Sequence, residues 1–194
     1  DAQAPVYTKP KKKGQPLVQG DELLVQVSRE AVKTKQPSVT TKISMNGKYL
    51  VFTIGNGKLG CSGKLSGAEK TRLRQWGQEQ KLPEDLGMII RTNASGVAEE
   101  DLNTEFVRLM EQYIYLKGPA THRTACSCVL RARPAYLSSV LGSRSNFLKE
   151  ILTDDKKIYE ELSVFLQEEM PEDCNKLRFY EDRSYPLKAA WRLE

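Results

Sequence analysis

Gly87-Met-Ile-Ile-Arg-Thr-Asn-Ala-Ser-Gly96 is the stretch whose reading decides the fold. Met88-Ile89-Ile90 is a brief apolar run of the kind that forms a short buried strand. Arg91-Thr92 stand at its exit, and Asn93 to Gly96 are small and polar, as a connection requires. Beyond them Leu102, Phe106, Leu109, Met110 and Tyr113 recur at helical spacing up to Gly118-Pro119, which predicts a helix with one apolar face, ended by that pair. A strand that delivers an arginine into a small loop before a helix is the centre of an α+β body.

Working back toward the start, Asn46-Gly47 is a hairpin signal. Val39-Thr40-Thr41-Lys42-Ile43 and Lys48 to Ile54 are its flanking strands. Leu23, Val25 and Val27 alternate with polar residues, which predicts a further strand with those three on its buried face. Residues 1–20 are rich in Pro, Gly and Lys, with Lys11-Lys12-Lys13 in their midst, and read as an exposed loop. Gly55-Asn56-Gly57 turns the chain. Ser66-Gly-Ala-Glu69 fits a capping box, with the serine and the glutamate each accepting a free amide. It predicts a helix to about Gln80, closed by Leu82-Pro83.

Toward the end of the chain, strands are expected at Cys128-Val129-Leu130, Leu148 to Leu152 and Leu177 to Tyr180. Between them lie a helix from Pro134 to Leu141 and one capped by Asp154 that carries Ile158, Leu162, Phe165 and Leu166. Strand–helix alternation implies an α/β sheet. Trp191 to Glu194 supply no closing element, so more sequence is expected to complete this sheet. The fold class expected is a mixture of α+β and α/β.

The 194 residues are 39% hydrophobic, enough for real cores. No apolar run approaches the roughly 18 residues of a membrane span, and the start lacks the pattern of a secretory signal. Net charge is +5, unevenly placed: residues 1–60 carry ten Lys/Arg against four Asp/Glu, while residues 148–194 carry eight against twelve. Positive charge gathered toward one end suits a polyanion, with nucleic acid first among such partners. Cys126 and Cys128 share a face of the expected strand and read as small core residues. With His122 the only histidine, they lack the partners of a zinc site.

Arg91-Thr92 form the sharpest candidate site. A rigid strand end fixes where the guanidinium points, and its planar fork donates two parallel bonds to phosphate oxygens. Thr92 adds a hydroxyl, the loop from Asn93 to Gly96 could turn amides toward the same anion, and the helix that follows offers its positive end. The competing reading pairs Arg91 with a nearby carboxylate. Lys33-Thr34-Lys35 could follow a phosphate backbone, or be a solvated loop. Tyr7 and Tyr49 could stack on bases or serve the core. Asp154-Asp155 is the one acidic pair near a strand end and reads better as a helix cap than as a metal ligand. No carboxylate cluster, acid–base pattern around His122 or phosphate-binding glycine loop appears, so neither a catalytic residue nor a metal site is expected.

The order of these segments resembles the bacterial ribonuclease E/G family, in its shorter ribonuclease G type from Gram-positive bacteria. The matching stretches are Gly20-Asp-Glu-Leu-Leu-Val-Gln-Val27, Lys33-Thr-Lys35 through Ile43, Gly47-Lys-Tyr-Leu-Val51, Gly87-Met-Ile-Ile-Arg-Thr92, Glu150-Ile-Leu-Thr-Asp-Asp155 and Leu177-Arg-Phe-Tyr180 with Pro186-Leu187. The resemblance implies three parts. Residues 1–40 correspond to part of an OB-fold RNA-binding module, 41–124 to a sensor of the RNA 5′ end, and 125–194 to part of a ribonuclease-H-like subdomain. It implies that Arg91, Thr92, Gly47 and Val51 hold the 5′-monophosphate and its first base, and that Lys33, Lys35 and Lys64 line the RNA path. Where the family often has Ser-Arg-Arg, this chain has Ser62-Gly63-Lys64, leaving Lys64 alone to serve.

The same resemblance places the family's Mg²⁺-binding aspartates in a later subdomain. This chain is therefore expected to bind no cofactor and to be inactive alone, while the full-length enzyme uses Mg²⁺. Single-stranded RNA is the expected partner, oligomerisation would run through later parts, and the location is cytoplasmic. Two other readings stand beside it: a non-catalytic RNA-binding or scaffolding protein that kept the fold, and an oligomerisation module whose basic charge is incidental.

Overall fold

Leu50, Phe52 and Ile54 are buried while Val51 and Thr53 between them are half-buried, and this alternation defines the two faces of the main sheet. The computed structural model describes residues 18–29, 31, 33–131, 133–143, 148–182 and 184–191. They fall into two compact units divided after Arg131. Lys11-Lys12-Lys13 and Tyr7 lie outside the described residues.

In the first unit, β1 (Gln26–Arg29) and β2 (Ser38–Thr40) form an antiparallel pair. The main sheet follows: β3 (Ser44–Asn46), β4 (Leu50–Ile54), β5 (Leu59–Cys61) and β6 (Leu86–Ile90), in the order β3-β4-β6-β5. β3 and β6 run antiparallel to β4, whereas β5 and β6 are parallel. Parallel neighbours need a long connection, and helix α1 (Gly67–Glu79) supplies it. Helix α2 (Glu99–Lys117) follows β6. Leu73 and Trp76 from α1 and Leu102, Leu109 and Leu116 from α2 join Phe52, Met88 and Ile90 in one core. Phe106 meets Phe52 and Trp76 edge-on, at centroid distances of 5.5 and 6.2 Å. Both helices therefore cover the same face of the sheet, and Val51 and Ile89, paired across β4 and β6, lie on the other. Asp85, at the entry to β6, is tied to the end of α2 by the Tyr113 hydroxyl (2.6 Å) and Lys117 Nζ (2.8 Å).

The second unit holds α3 (Ala135–Gly142), β7 (Ile151–Thr153), α4 (Lys156–Glu169), β8 (Leu177–Phe179) and α5 (Leu187–Ala190), with β7 and β8 parallel. Its core is Leu141, Ile151, Leu162, Phe165, Leu166, Met170 and Leu177. Asp155, one residue beyond the expected cap, accepts the amides of Lys157 and Ile158 at 2.8 and 3.1 Å. An N-cap suits this half of the acidic pair.

Several expectations are corrected. Leu24 is buried, while Val25 and Val27 are 44% and 59% exposed. The inward polar residue is Gln26, whose amide donates to Ser44 O and accepts from Ser44 N. Residues 128–130 form no strand: Cys126 has φ 61° and both it and Cys128 are exposed, so neither is a core residue. Strand β5 was not anticipated, because Leu59-Gly60-Cys61 has a glycine at its centre and no branched or aromatic residue to mark it. No helix among the described residues is long and apolar enough to cross a membrane.

Candidate functional site

Ile89 faces away from the helices and Ile90 toward them, so strand alternation returns Arg91 to the uncovered face. Its amide continues the sheet by donating to Tyr49 O at 2.8 Å. Its guanidinium Nη1 donates to the backbone carbonyl of Gly47, also at 2.8 Å. The partner of this half-buried arginine is thus a neutral carbonyl in the β3–β4 turn. No ion pair between Arg91 and a carboxylate occurs among the described residues.

The turn itself is built around a carboxylate from α2. Glu105 is only 6% exposed. Its Oε2 accepts the amide of Lys48 (2.8 Å), and its Oε1 accepts those of Tyr49 (2.8 Å) and Leu50 (2.7 Å). Arg108 Nη2 lies 3.7 Å from Oε2. A β-carbon on Gly47 would stand 2.2 Å from Glu105 Oε1. Asn46-Gly47 was read as a hairpin signal; Asn46 is the last residue of β3, and Gly47 is not among the positive-φ glycines. Glycine at 47 is needed for space rather than for a positive φ.

Following Arg91, Thr92–Ala94 makes one 3₁₀ turn. The amides of Ala94, Ser95 and Val97 close onto Arg91 O, Thr92 O and Ala94 O. Gly96 N donates to Glu69 Oε2 at 2.8 Å. Three of these amides are spent within the loop and the fourth on a carboxylate of α1, contrary to the expectation that the loop turns them toward a bound anion. Nor does the start of α2 call for one: Glu99, Glu100 and Asp101 fill its first turn and already answer its dipole.

Glu69 was expected to complete a capping box. Ser66 does accept the Glu69 amide, at 3.4 Å. The Glu69 carboxylate is engaged elsewhere, by Arg72 Nε and Nη2 at 3.0 and 3.1 Å and by the Gly96 amide. Those hydrogen bonds, Arg72's foremost, hold its carboxyl at about 2. Arg72 also donates to Val97 O, so α1 ties down the far end of the loop that Arg91 opens. At Asp85, burial raises the carboxyl, and the hydrogen bonds from Lys117 and Tyr113 outweigh it to leave the group below its usual range.

Four of the sequence-designated residues converge on this end of the sheet. Arg91 and Thr92 follow β6, Gly47 holds the arginine, and Val51 lies on β4 opposite Ile89. Lys64 is exposed in the loop after β5, and Ser62 N in that loop donates to Ile90 O at 2.9 Å, one residue from Arg91. Lys33 and Lys35 are exposed on the β1–β2 connection, with the separate two-stranded sheet. Tyr49 is half-buried against the core, with Lys48 Nζ 5.3 Å from its ring centroid. Sequence reasoning missed Glu105 and the Glu69–Arg72 tether. The signal for Glu105 was present: it interrupts the apolar stripe Leu102, Leu109, Tyr113, Leu116 at a buried position of the helical repeat.

Residues 44–194 match the family model described as the Ribonuclease E/G family. Ribonuclease G of Escherichia coli (strain K12) is 33% identical over 171 residues, covering 85% of this chain and 34% of that protein. Ribonuclease G of Salmonella typhimurium is 33% identical over 168 residues, 84% of this chain and 33% of that protein. Ribonuclease E of Haemophilus influenzae is 27% identical over 179 residues, 92% of this chain and 19% of that protein. The chain therefore spans between about a fifth and a third of the length of these curated relatives.

Proposed function

The chain belongs to the ribonuclease E/G family, and from that premise we propose that it is the RNA-binding, 5′-end-sensing portion of an endoribonuclease acting in RNA processing and decay. The observation that carries this reading is the Arg91–Gly47 hydrogen bond. It fixes a guanidinium at a strand end without neutralising it. A guanidinium has five N–H donors. One is taken by the carbonyl, and the positive charge is kept for an incoming anion.

A 5′-monophosphate carries about −1.5 to −2 charges near neutral pH. Arg91 is proposed to grip it bidentately, with the Thr92 hydroxyl beside it and Val51 and Gly47 against the first nucleotide. In this proposal a triphosphate is too long to be gripped in the same way, and a hydroxyl offers no charge. Lys64 extends the positive surface from the neighbouring loop. Lys33 and Lys35 are assigned to the path of single-stranded RNA away from its end, where contacts are to backbone phosphates.

In this proposal residues 1–40 belong to an OB-fold module, 41–124 form the 5′ sensor, and 125–194 are part of a ribonuclease-H-like subdomain. The main sheet, α1 and α2 lie within 41–124, which supports treating the sensor as one body. Cleavage is assigned to carboxylates and Mg²⁺ in other parts of the enzyme. Among the described residues no group of three or more His, Cys, Asp or Glu side chains is placed to hold a metal. A cytoplasmic setting is part of the same proposal.

The test compares Arg91→Gln with the wild-type chain on short single-stranded RNAs bearing a 5′-monophosphate or a 5′-hydroxyl, at one salt concentration. Hydrogen bonds to a charged group contribute about 1.5–3 kcal/mol, so the monophosphorylated RNA should bind roughly tenfold or more weakly. The hydroxyl RNA should bind almost as before. Equal losses on both would refute end sensing and leave Arg91 a generic basic contact.

A further inference from the structure

We propose that Glu105 is a positioning residue for phosphate recognition, acting through the β3–β4 turn on the orientation of Arg91; this rests on the phosphate-binding reading of Arg91. In a tight antiparallel hairpin, the two residues flanking the turn exchange both backbone hydrogen bonds. Here only half of that exchange is made. Gly47 N donates to Leu50 O at 2.8 Å, but Leu50 N donates to Glu105 Oε1 at 2.7 Å instead of returning to Gly47 O. The carbonyl that ordinary turn closure would consume is thereby released, and Arg91 Nη1 takes it.

The turn is gripped from both sides. On its donor side three successive amides, Lys48 to Leu50, converge on the carboxylate. On its acceptor side Tyr49 O and Gly47 O receive the Arg91 amide and guanidinium. The tight fit at Gly47, where a β-carbon would stand 2.2 Å from Glu105 Oε1, gives the carboxylate little room to move. Three amides and Arg108, 3.7 Å away, surround the negative charge of Glu105. It therefore organises the corner without serving as a counter-ion to Arg91. If the carboxylate is lost, Leu50 N can swing back to Gly47 O, and the carbonyl then aims along the hairpin rather than at the guanidinium. The turn survives while the arginine loses its anchor.

Glu105→Gln separates these effects. A neutral amide oxygen holds the Leu50 amide less firmly than a carboxylate does, which lets Leu50 N return to Gly47 O, and the side-chain nitrogen cannot accept from Lys48. Wild type, Glu105→Gln and Arg91→Gln are compared for binding to 5′-monophosphate and 5′-hydroxyl RNAs by fluorescence anisotropy, with circular dichroism as the check on folding. The preference for the monophosphate should fall roughly fivefold or more in Glu105→Gln, since orientation of a charged hydrogen bond is at stake. Binding of the hydroxyl RNA should be unchanged within about twofold, and Glu105→Asp should recover part of the preference. A folded Glu105→Gln with wild-type preference, while Arg91→Gln has lost it, overturns the positioning role and leaves phosphate binding intact. If Arg91→Gln itself keeps the preference, the phosphate reading falls.

Should Glu105→Gln fail to fold, hydrogen exchange in the wild type decides. Coupling between Arg91 and the turn is reciprocal, so monophosphate RNA should slow exchange at Lys48, Tyr49 and Leu50 beyond what hydroxyl RNA does. Equal protection by the two RNAs overturns the proposal.

Discussion

Replacing Gly47 by alanine tests the architecture of the turn without replacing a charged residue. The added β-carbon would sit 2.2 Å from Glu105 Oε1 and 2.5 Å from Cδ. A comfortable approach is about 3.5 Å, so the turn and the carboxylate must separate by more than 1 Å. Elsewhere a flexible glutamate would simply swing aside. Here its two oxygens are held by three amides at 2.7–2.8 Å, and a shift of that size breaks or bends them. Overpacking costs about 1–3 kcal/mol, and each weakened bond to a buried charged group adds up to about 1.5–3 kcal/mol. A net loss near 3 kcal/mol follows, a large part of a typical domain's 5–15 kcal/mol. The assay is urea unfolding followed by Trp76 fluorescence, with Trp191 replaced by phenylalanine so that one indole reports. The decisive comparison is a double-mutant cycle with Glu105→Ala, in which the new methyl group meets empty space. The two losses should then fall short of additivity by more than about 1 kcal/mol. A loss under about 0.5 kcal/mol for Gly47→Ala, or strict additivity, would refute the claim that glycine is there to admit the carboxylate.

Acid should release the loop after Arg91. The Glu69 carboxyl titrates at about 2, depressed first by the Arg72 hydrogen bonds and then by the Gly96 amide. A depressed acid stabilises the folded state above its unfolded value and loses that contribution as pH falls toward the folded one. The tether should therefore be intact above about pH 4.5 and weaken progressively toward pH 2, read from the Glu69 carboxyl ¹³C shift and from exchange at Gly96. Glu69→Gln should show fast Gly96 exchange at neutral pH. The exposed lysines should behave differently from Arg91. Lys33→Gln with Lys35→Gln should lower the slope of log affinity against log salt by about 0.7 per removed phosphate contact, with the ratio between monophosphate and hydroxyl RNAs unchanged. A change in that ratio would place these lysines at the RNA end instead.

Strands β4 and β6, the two covering helices and the strand exit at Arg91 were legible from apolar runs, a capping box and the helical repeat of α2. The strand expected over residues 39–43 divides instead: Val39 and Thr40 join β2, and the partner of β4 is Ser44–Asn46. Where period failed, so did the reading. β5 has a glycine at its centre, and the valines at 25 and 27 face outward because Gln26 satisfies Ser44 from the inner side. Cys128 to Leu130 have strand-like composition, but a left-handed Cys126 precedes them. Of the site, Arg91 was visible as a cation at the end of an apolar run. Its partner was not, because Gly47 lies 44 residues away and contributes only a carbonyl, which leaves no mark on side-chain chemistry. Glu105 could have been found as the charge that breaks an apolar stripe. What it holds depends on tertiary packing that no local pattern carries.

Two arginines of the first unit mark the difference between a structural cation and a receptive one. Arg72 donates through Nε and Nη2 to both oxygens of Glu69, and the pair fastens a helix to a loop. An anion arriving there would have to displace a carboxylate already in bidentate contact. Arg91 is oriented by a carbonyl dipole instead, so an arriving phosphate competes with no fixed negative charge and finds the guanidinium already aimed. Local negative charge is not avoided in this corner; Glu105 brings it. That charge is turned inward, toward three backbone amides and Arg108. A carboxylate spent on the backbone shapes the corner, and a carbonyl freed by that carboxylate steadies the arginine. Their order matters: had Glu105 paired with Arg91 directly, the same residues would make a second Arg72.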